Sequence, residues 1–330
     1  MSYFLENSDN KEELFNYFNH KSILITGATG LVGSNILIFF DSLISQGASL
    51  SLFTTSRGIS KSLILSSNAK NYELDLCLEP IDEIFPNFDI IFHCAGYGQP
   101  SKFLNNQFST ISLNTSVLLK LIQCLDINGK IIYLSSSEVY SGFNGEYPNE
   151  KDIGNSSPGD IRACYIEGKR CGEAIINTLN NSMISGISIR LALAYGPGTK
   201  DDDERALNQF IKSSINTNNI SLLDKGKSIR RYIFIDDAIE MIINIASKGK
   251  EDVYNVGGIE RVSILELAQT IQNITGCSVT IPKKSNGLIG APENVGLDIS
   301  RYQNEFGEMD FKTLEEGLKL TISSYRKILT

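Results

Sequence analysis

Three closely spaced glycines constrain the fold of this chain more than any other feature of its sequence. Residues 27–33 read GATGLVG, directly after the apolar run SILIT at residues 22–26 and at the start of a stretch with helical spacing. Glycines at these positions permit a tight turn, close approach of the backbone to a diphosphate, and close packing of a helix on a strand. The free amides at the start of a helix also attract anions. The segment therefore predicts a dinucleotide-binding loop. The residues expected to contact the dinucleotide are Gly27, Thr29, Gly30, Leu31, Val32 and Gly33.

Apolar runs and helical stretches alternate along the first 195 residues. Predicted strands cover residues 22–26 and 50–54, a third ends at Asp75–Leu76, and the next cover residues 89–94, 130–135 and 187–194. Predicted helices cover residues 11–19, 31–45, 105–125 and 163–180. Strands that alternate with helices form parallel βαβ units with right-handed crossovers. We therefore predict an α/β fold with a Rossmann-type, doubly wound parallel sheet.

The pattern of residue types along the chain changes after residue 198. Turn-rich polar segments at residues 200–204, 216–219 and 283–287 alternate there with short helices. Such a pattern favours a smaller C-terminal α/β domain on the substrate side. We expect residues 1–195 mainly to form the dinucleotide-binding domain and residues 196–330 mainly to form the substrate domain, with some of the chain crossing back.

Composition and charge exclude several classes of protein. The 30 basic and 38 acidic side chains give a formal net charge of −8 without a basic tract, which argues against a nucleic-acid partner. The longest apolar runs are far shorter than a membrane span, so no membrane association is expected. Two histidines and six scattered cysteines without a Cys-x-x-Cys pair predict no metal site and favour a reducing, cytoplasmic location. The N-terminal residues do not resemble a signal peptide.

The tip of the second predicted strand bears on the choice of cofactor. An NAD-specific site usually places Asp or Glu there to accept from the ribose 2′-hydroxyl. Residues 54–57 read TTSR instead, so Ser56 and Arg57 could hold a 2′-phosphate, although Arg57 could equally be a solvated loop residue. The cofactor is therefore NAD or NADP, with a preference for NADP. Further contacts of the same cofactor are predicted at Asp75, Leu76, Cys94, Ala95, Gly96, Tyr165 and Lys169.

A candidate catalytic set follows the fourth and fifth predicted strands. Tyr165 and Lys169 are spaced i,i+4 on a predicted helix and therefore lie on one face. Because a phenol is a weak base at neutral pH, we expect the Lys169 ammonium to lower the pKa of Tyr165. Ser136 and Glu138 follow the fifth strand, where ligands bind at the carboxyl edge of a parallel sheet. In the alternative interpretation, the Tyr–Lys pair lies on the surface and Glu138 caps the next segment.

These motifs together resemble the extended short-chain dehydrogenase/reductase family, in its NAD-dependent epimerase/dehydratase group that acts on nucleotide sugars. The resemblance runs from Ser22 to about Tyr325 and includes Asn114, residues 195–198 (YGPG) and residues 255–258 (NVGG). Within the family, residues 162–170 (RACYIEGKR) and the Ser136 turn are most similar to UDP-glucuronate decarboxylases. Three positions depart from the family pattern: the second strand lacks its acidic residue, Leu193 replaces a frequent asparagine, and residues 97–101 match only loosely.

The resemblance implies roles for these residues. Ser136, Tyr165 and Lys169 would oxidise the sugar C4 hydroxyl to a ketone, Glu138 would act as an acid or base, and the cofactor would be NAD or NADP without a metal. The implied substrate is a nucleotide-diphosphate sugar. Its implied ligands are Ser137, Arg205 and Arg230.

Several activities remain open after the common C4 oxidation. They are decarboxylation or simple C4 oxidoreduction, 4-epimerisation, 4-ketosugar reduction and, less favoured, 4,6-dehydration. A non-catalytic dinucleotide-binding regulator on the same fold is the alternative from another class. The resemblance also implies a homodimer, for which the apolar spacing of residues 108–125 is suited at Ile111, Leu118, Leu119 and Ile122.

Overall fold

The computed structural model describes residues 11–58, 68–283 and 294–329. Its strands, in chain order, are β1 Ser22–Thr26, β2 Ser51–Ser56, β3 Ala69–Glu73, β4 Phe88–His93, β5 Leu125–Ser136, β6 Ser185–Leu191, β7 Leu193–Tyr195, β8 Asn219–Ser221, β9 Ile229–Arg230, β10 Tyr232–Phe234, β11 Val253–Val256, β12 Val262–Ser263, β13 Ser278–Thr280 and β14 Asn294–Val295. Its α-helices are α1 Lys11–Phe18, α2 Leu31–Ser45, α3 Ile81–Ile84, α4 Pro100–Asn105, α5 Gln107–Asn114, α6 Ser116–Gln123, α7 Ala163–Asn177, α8 Ala206–Asn216, α9 Ile235–Lys248, α10 Ile264–Thr275, α11 Ser300–Phe306 and α12 Leu314–Leu329.

A seven-stranded sheet forms the centre of the molecule. Its strand order is β11-β6-β5-β4-β1-β2-β3, and every neighbouring pair is parallel. The order 3-2-1-4-5-6 is that of a doubly wound nucleotide-binding fold, and β11 extends it by one strand. The predicted Rossmann-type α/β fold is therefore confirmed.

Alternation along the strands divides the core between the two faces of the sheet. Ile23 and Ile25 of β1 point to one face, where they pack with Phe39 and Phe40 of α2. Leu24 points to the other face and packs with the cluster that includes Leu118 of α6. Both faces are covered by helices, so β1 reads as a continuous apolar run rather than an alternating one.

Several predicted boundaries differ from the structure. The range predicted as one helix, residues 105–125, holds two short helices, α5 and α6, and α4 ends at its first residue, because the backbone leaves the helical region at Asn106 and at Thr115. The strand predicted at residues 187–194 is divided at Ala192 into β6 and β7, and β7 pairs with β10 instead of joining the main sheet. Helix α7 ends at Asn177, where a short 3₁₀ segment follows.

The C-terminal part of the chain returns to the main sheet. Strand β11 pairs with β6, and α9 packs against α2. The remaining short strands form three small sheets, β10-β7, β12-β9-β14 and β13-β8. The turn predicted at residues 283–287 lies outside the described residues from position 284 onward. None of the helices in the described ranges has the length and apolar character to span a membrane.

Candidate active site

The glycine loop closes tightly between β1 and α2. Gly27 adopts φ +68°, and a Cβ built there would lie 2.7 Å from the Ala95 nitrogen. At Gly33 a Cβ would lie 2.4 Å from the Gly27 carbonyl oxygen. Side chains at these two positions would block the close approach of loop, helix and β4 that a bound dinucleotide requires. The loop therefore fits the diphosphate of a dinucleotide, at the N terminus of a 15-residue helix.

Two adjoining cavities open at the carboxyl edge of the sheet. The central cavity is lined by Leu31, Val32 and Gly33 of α2 and by the predicted catalytic residues Ser136, Glu138, Tyr165 and Lys169. The β2 cavity lies toward β2 and β3. Its lining includes Gly27, Thr29, Ser56, Arg57, Asp75, Leu76 and Ala95. Gly30, Arg57, Cys94 and Gly96 line both cavities, so the structure brings all the predicted cofactor-binding residues together.

Arg57 is held in place although it is exposed. Its guanidinium donates to the Tyr97 hydroxyl at 2.6 Å and lies 5.1 Å from the centroid of that ring. Ser56 exchanges hydrogen bonds with Asn71 of β3. The tip of β2 therefore presents a positioned cation beside hydroxyl groups, rather than a freely solvated arginine.

Tyr165 and Lys169 lie side by side on α7 at the floor of the central cavity. The Tyr165 ring is buried and stacks on Phe103, with 4.7 Å between the centroids. The Lys169 Nζ lies 5.8 Å from the centroid of the Tyr165 ring and donates to the Leu134 carbonyl oxygen at 2.6 Å. The alternative interpretation of an exposed surface pair is therefore wrong for their position.

The expected effect of Lys169 on Tyr165 is not found. Burial raises the pKa of Tyr165 to about 12, and it outweighs the lowering by a Ser136 hydrogen bond and by the charges of Arg205 and Arg162. Burial also lowers the pKa of Lys169 to about 8. The predicted lowering was wrong because removal of both groups from water opposes each charged form.

The Ser136 turn brings a carboxylate into the central cavity. The Ser136 hydroxyl accepts from the Glu138 amide at 3.2 Å and so caps the 3₁₀ helix Ser137–Tyr140. The Glu138 side chain does not serve as this cap. Its Oε1 accepts from Arg162 at 2.6 Å and its Oε2 accepts from Ser141 at 3.2 Å. Glu138 is thus an oriented, partly exposed carboxylate beside the predicted base.

A buried ion pair supports this turn from below. Arg190 of β6 donates to Glu173 of α7 at 2.7 Å, and Glu173 also accepts from Ser135 at 2.5 Å. Arg190 donates in addition to the Tyr140 hydroxyl at 2.7 Å. Both ends of the turn are therefore tied to one buried charge pair. Breaking such a pair by removing one partner typically costs about 3–5 kcal/mol.

The predicted substrate residues separate in the structure. Ser137 and Arg205 line the central cavity, and Asp203 holds Arg205 with a contact of 2.6 Å. Arg230 of β9 donates to the Ile229 carbonyl oxygen and is not part of that lining, although the Glu138 charge acts on it.

Sequence reasoning assigned no role to several side chains of the cavity. Arg162 contacts Glu138, stacks on Phe103 and leaves its Nε buried without a hydrogen-bond partner. Gln99 and Lys102 precede or begin helical segments in a stretch with no motif, and both line the cavity. Arg162 did carry a signal, because it opens the RACYIEGKR segment. No cluster of three or more metal-ligating side chains occurs among residues 11–58, 68–283 and 294–329.

Comparison with known proteins places the chain among nucleotide-sugar enzymes. The model of the NAD dependent epimerase/dehydratase family matches residues 23–257. UDP-glucuronic acid decarboxylase 1 of Arabidopsis thaliana is 27% identical over 313 residues, which are 92% of this chain and 69% of that protein. dTDP-4-dehydro-6-deoxy-D-allose reductase of a Streptomyces species is 27% identical over 319 residues, which are 93% of this chain and 96% of that protein.

A solved structure shares the fold. UDP-glucuronic acid 4-epimerase of Bacillus cereus, in complex with UDP-glucuronic acid and NAD, superposes with a TM-score of 0.77 at 22% identity. The match covers 93% of this chain and 99% of the epimerase. The segment matched by the family model contains the glycine loop, the Ser136 turn and the whole of α7.

Proposed function

Because this chain belongs to the NAD-dependent epimerase/dehydratase family, we propose that it oxidises C4 of a nucleotide-diphosphate uronic acid and then decarboxylates the 4-keto sugar. The observation that carries the second step is the Glu138–Arg162 pair, at 2.6 Å, beside Tyr165 in the central cavity. C4 oxidoreduction alone requires Ser136, Tyr165 and Lys169. A fixed carboxylate with its own arginine is an addition that favours chemistry beyond the ketone.

The first step removes a proton from the C4 hydroxyl oxygen and a hydride from C4 itself, which leaves a ketone. Tyr165 takes the hydroxyl proton, with Ser136 sharing the hydrogen bond, and Lys169 favours the phenolate once the site is closed from water. The bound nicotinamide supplies the hydride acceptor, and the glycine loop, Lys169 and the small residues Ala95 and Gly96 would hold that cofactor. The pKa of about 12 for Tyr165 means that ligand binding must supply the remaining stabilisation of the phenolate.

The second step follows from the ketone. A C4 ketone makes a C5 carboxylate a β-keto acid, so the C5–C6 bond breaks, carbon dioxide leaves and the electron pair passes to the C4 carbonyl. C5 then takes a proton, and hydride returns to C4. Glu138 is placed to move that proton or to hold the sugar, while Arg162 and Arg205 offer cationic contacts to the carboxylate and the diphosphate. Arg230, on which the charge of Glu138 acts, is a further candidate for the diphosphate.

Other reactions share the first step. Epimerisation returns the hydride to the opposite face of C4, and a 4-ketosugar reductase runs only the return step. Dehydration is less favoured because Ser137 stands where dehydratases resembling this chain carry an acidic residue. A silent regulator is disfavoured because Ser136, Tyr165 and Lys169 all face one cavity.

Arg57 favours NADP over NAD as the cofactor.

The wild type and the Glu138→Gln variant together separate these reactions. Purified wild-type enzyme is incubated with dinucleotide and UDP-glucuronate, then with UDP-glucose and UDP-N-acetylglucosamine, and products are identified by mass spectrometry. We expect loss of carbon dioxide from the uronate only. In Glu138→Gln the first half-reaction should run and the second should stall, so that reduced cofactor accumulates, seen by its near-ultraviolet absorbance.

The matched control is Glu167→Gln, which removes a carboxylate that pairs with Arg170 outside the cavity lining. It should leave turnover and cofactor absorbance unchanged. Turnover of Glu138→Gln at nearly the wild-type rate, without trapped reduced cofactor, would contradict a role for Glu138 after the ketone. A product with altered C4 configuration and unchanged mass would instead identify an epimerase.

A further inference from the structure

The segment 199–205 crosses the mouth of the two cavities. Lys200 donates from Nζ to the Thr29 hydroxyl at 3.3 Å, and Asp202 pairs with Lys102 of α4 at 2.7 Å. The Glu204 amide donates to the Gln99 side chain at 3.2 Å. A stretch that follows β7 is thereby fastened both to the glycine loop and to the start of α4. Of its two cations, Lys200 contacts the glycine loop, whereas Arg205 pairs with Asp203 and lines only the central cavity.

Lys200 and Arg57 lie at the same cavity. Both line the β2 cavity, together with the hydroxyl-bearing residues Thr29, Thr55 and Ser56. Desolvation lowers the pKa of Lys200, and the positive charges of Lys102 and Arg57 lower it further, while Asp202 raises it. Two cations brought together beside hydroxyl donors repel each other. A polyanionic group between them would remove this repulsion and accept hydrogen bonds from both.

We propose that Lys200 and Arg57 form a two-cation site for the 2′-phosphate of the dinucleotide. One cation comes from the tip of β2 and the other from the segment after Gly198. The site rests on the dinucleotide binding of the proposed function and is independent of the sugar chemistry. It would make NADP, rather than NAD, the preferred cofactor.

The lining of the cavities distinguishes the 2′-phosphate from the diphosphate. Leu31, Val32 and Gly33, at the N terminus of α2 where a diphosphate binds, line only the central cavity. Thr29, the partner of Lys200, lines only the β2 cavity. The adenosine ribose is expected at the end of β2 in this fold. Lys200 and Arg57 themselves line both cavities, so it is the contact of the Lys200 Nζ with the Thr29 hydroxyl that directs this ammonium group toward the ribose side of the loop.

The test measures dinucleotide affinity without any sugar. Dissociation constants of NADP, NAD, 2′,5′-ADP and ADP are determined by calorimetry for the wild type, Lys200→Ala, Arg57→Ala and the double variant. Loss of one charge-assisted contact typically costs about 1.5–3 kcal/mol, so each single variant should weaken NADP and 2′,5′-ADP about 10- to 100-fold. The dissociation constants of NAD and ADP should change less than threefold. The preference of the wild type for NADP over NAD should fall as the salt concentration rises.

Two further variants test whether the effect depends on the position and on the charge of Lys200. Lys151→Ala removes an exposed lysine that lines neither cavity, and it should leave all four constants unchanged. Lys200→Arg keeps the charge and should restore most of the NADP affinity. Equal weakening of NAD and NADP by Lys200→Ala would place Lys200 on the diphosphate and overturn the proposal. Wild-type affinities that do not distinguish NADP from NAD, or a Lys200→Ala variant without effect, would overturn it as well.

Failure of the proposed reaction would look different. A protein that prefers 2′,5′-ADP over ADP through Lys200 but turns over no nucleotide sugar would keep this site and reject the decarboxylase. A protein that decarboxylates UDP-glucuronate with equal use of NAD and NADP would keep the reaction and reject the site.

Discussion

Tyr165 illustrates how far a residue's chemistry depends on its surroundings. The phenol is buried and stacks on Phe103, and burial raises its pKa to about 12, so the group stays protonated at neutral pH. A buried phenol that can share a hydrogen bond with Ser136 is nevertheless well placed to exchange a proton with a sugar hydroxyl. Lys169, with a pKa near 8, keeps enough positive charge at neutral pH to favour the phenolate when ligands complete the site.

We predict that Tyr165→Phe lowers turnover about a hundredfold or more, the usual cost of losing a positioned acid or base. The ring and its stacking on Phe103 remain, so dinucleotide affinity should stay within twofold of the wild type. Steady-state turnover and calorimetric binding measure the two quantities. Tyr147→Phe, at an exposed tyrosine outside the cavity, is the control. A Tyr165→Phe variant that keeps most of its rate would exclude Tyr165 as the base.

At the scale of elements, the packing of α2 on the glycine loop determines whether a dinucleotide can bind. Gly33→Ala puts a methyl group 2.4 Å from the Gly27 carbonyl oxygen, and backbone atoms must move to accept it. We predict a loss of about 1–3 kcal/mol in the free energy of unfolding, as for other overpacked sites, together with weaker dinucleotide binding. Gly159→Ala is the control, since its Cβ would meet only the Ser157 hydroxyl, at 3.6 Å. Unchanged stability and affinity in Gly33→Ala would contradict the tight-loop geometry.

Helix α9 carries three carboxyl groups with raised pKa values, those of Asp236, Asp237 and Glu240. Burial and the neighbouring Asp237 raise the pKa of Glu240 to about 7, and burial raises that of Asp237 to about 6, both against the opposing charge of Lys312. A carboxyl group with a raised pKa in the folded state binds more protons folded than unfolded between its two pKa values. Its contribution to stability is therefore present at low pH and is lost as the pH rises through 6 to 7.

Glu240→Gln tests this pH dependence. At pH 5 the folded protein holds Glu240 protonated, so the isosteric amide should change the unfolding free energy little. At pH 8 the wild type carries a half-buried negative charge that the variant lacks, so the variant should be the more stable of the two. Denaturant unfolding at both pH values measures the difference, with the exposed Glu79→Gln as control. An equal difference at pH 5 and pH 8 would contradict the raised pKa.

At the scale of the whole molecule, one apolar surface remains open. On α5 and α6, Phe108 is 92% exposed, Ile111 43% and Leu119 51%. Leu118, which the sequence placed at the same surface, is instead fully buried in the core of its own subunit. A stable pair of subunits typically covers about 800 Å² on each partner. A second copy of the chain, joined through these helices, would cover the exposed side chains.

We predict a homodimer at micromolar concentration. Light scattering should give twice the chain mass for the wild type. Phe108→Asp should give the monomer mass, because a charge in an apolar interface is left without a partner. Ile127→Asp, a change at an exposed apolar residue outside α5 and α6, should leave the dimer intact. A monomeric wild type would exclude this arrangement.

Much of the fold and the candidate site was predictable because it depends on short-range patterns. The strand–turn–helix around the three glycines needs only the spacing of residues within one βαβ unit. The i,i+4 spacing of Tyr165 and Lys169 likewise places them on one helix face wherever the helix lies. Family membership, the Rossmann-type fold and an NAD-dependent enzyme are accordingly confirmed. The division into two domains near residue 195 stays a prediction.

Only the tertiary structure determined those features that depend on contacts between segments far apart in the sequence. Strand β11 begins at Val253, 58 residues after the predicted domain boundary at residue 195, and joins the main sheet because its pairing partner β6 has a free edge there. Lys200 reaches Thr29, 171 residues away in sequence, and Arg162 reaches Glu138 across 24 residues. The pKa of Tyr165 is raised rather than lowered because the burial of its phenol belongs to the folded molecule and not to the helix alone. Local spacing determines which side chains share a face, whereas packing alone determines the charges and the solvent that those side chains meet.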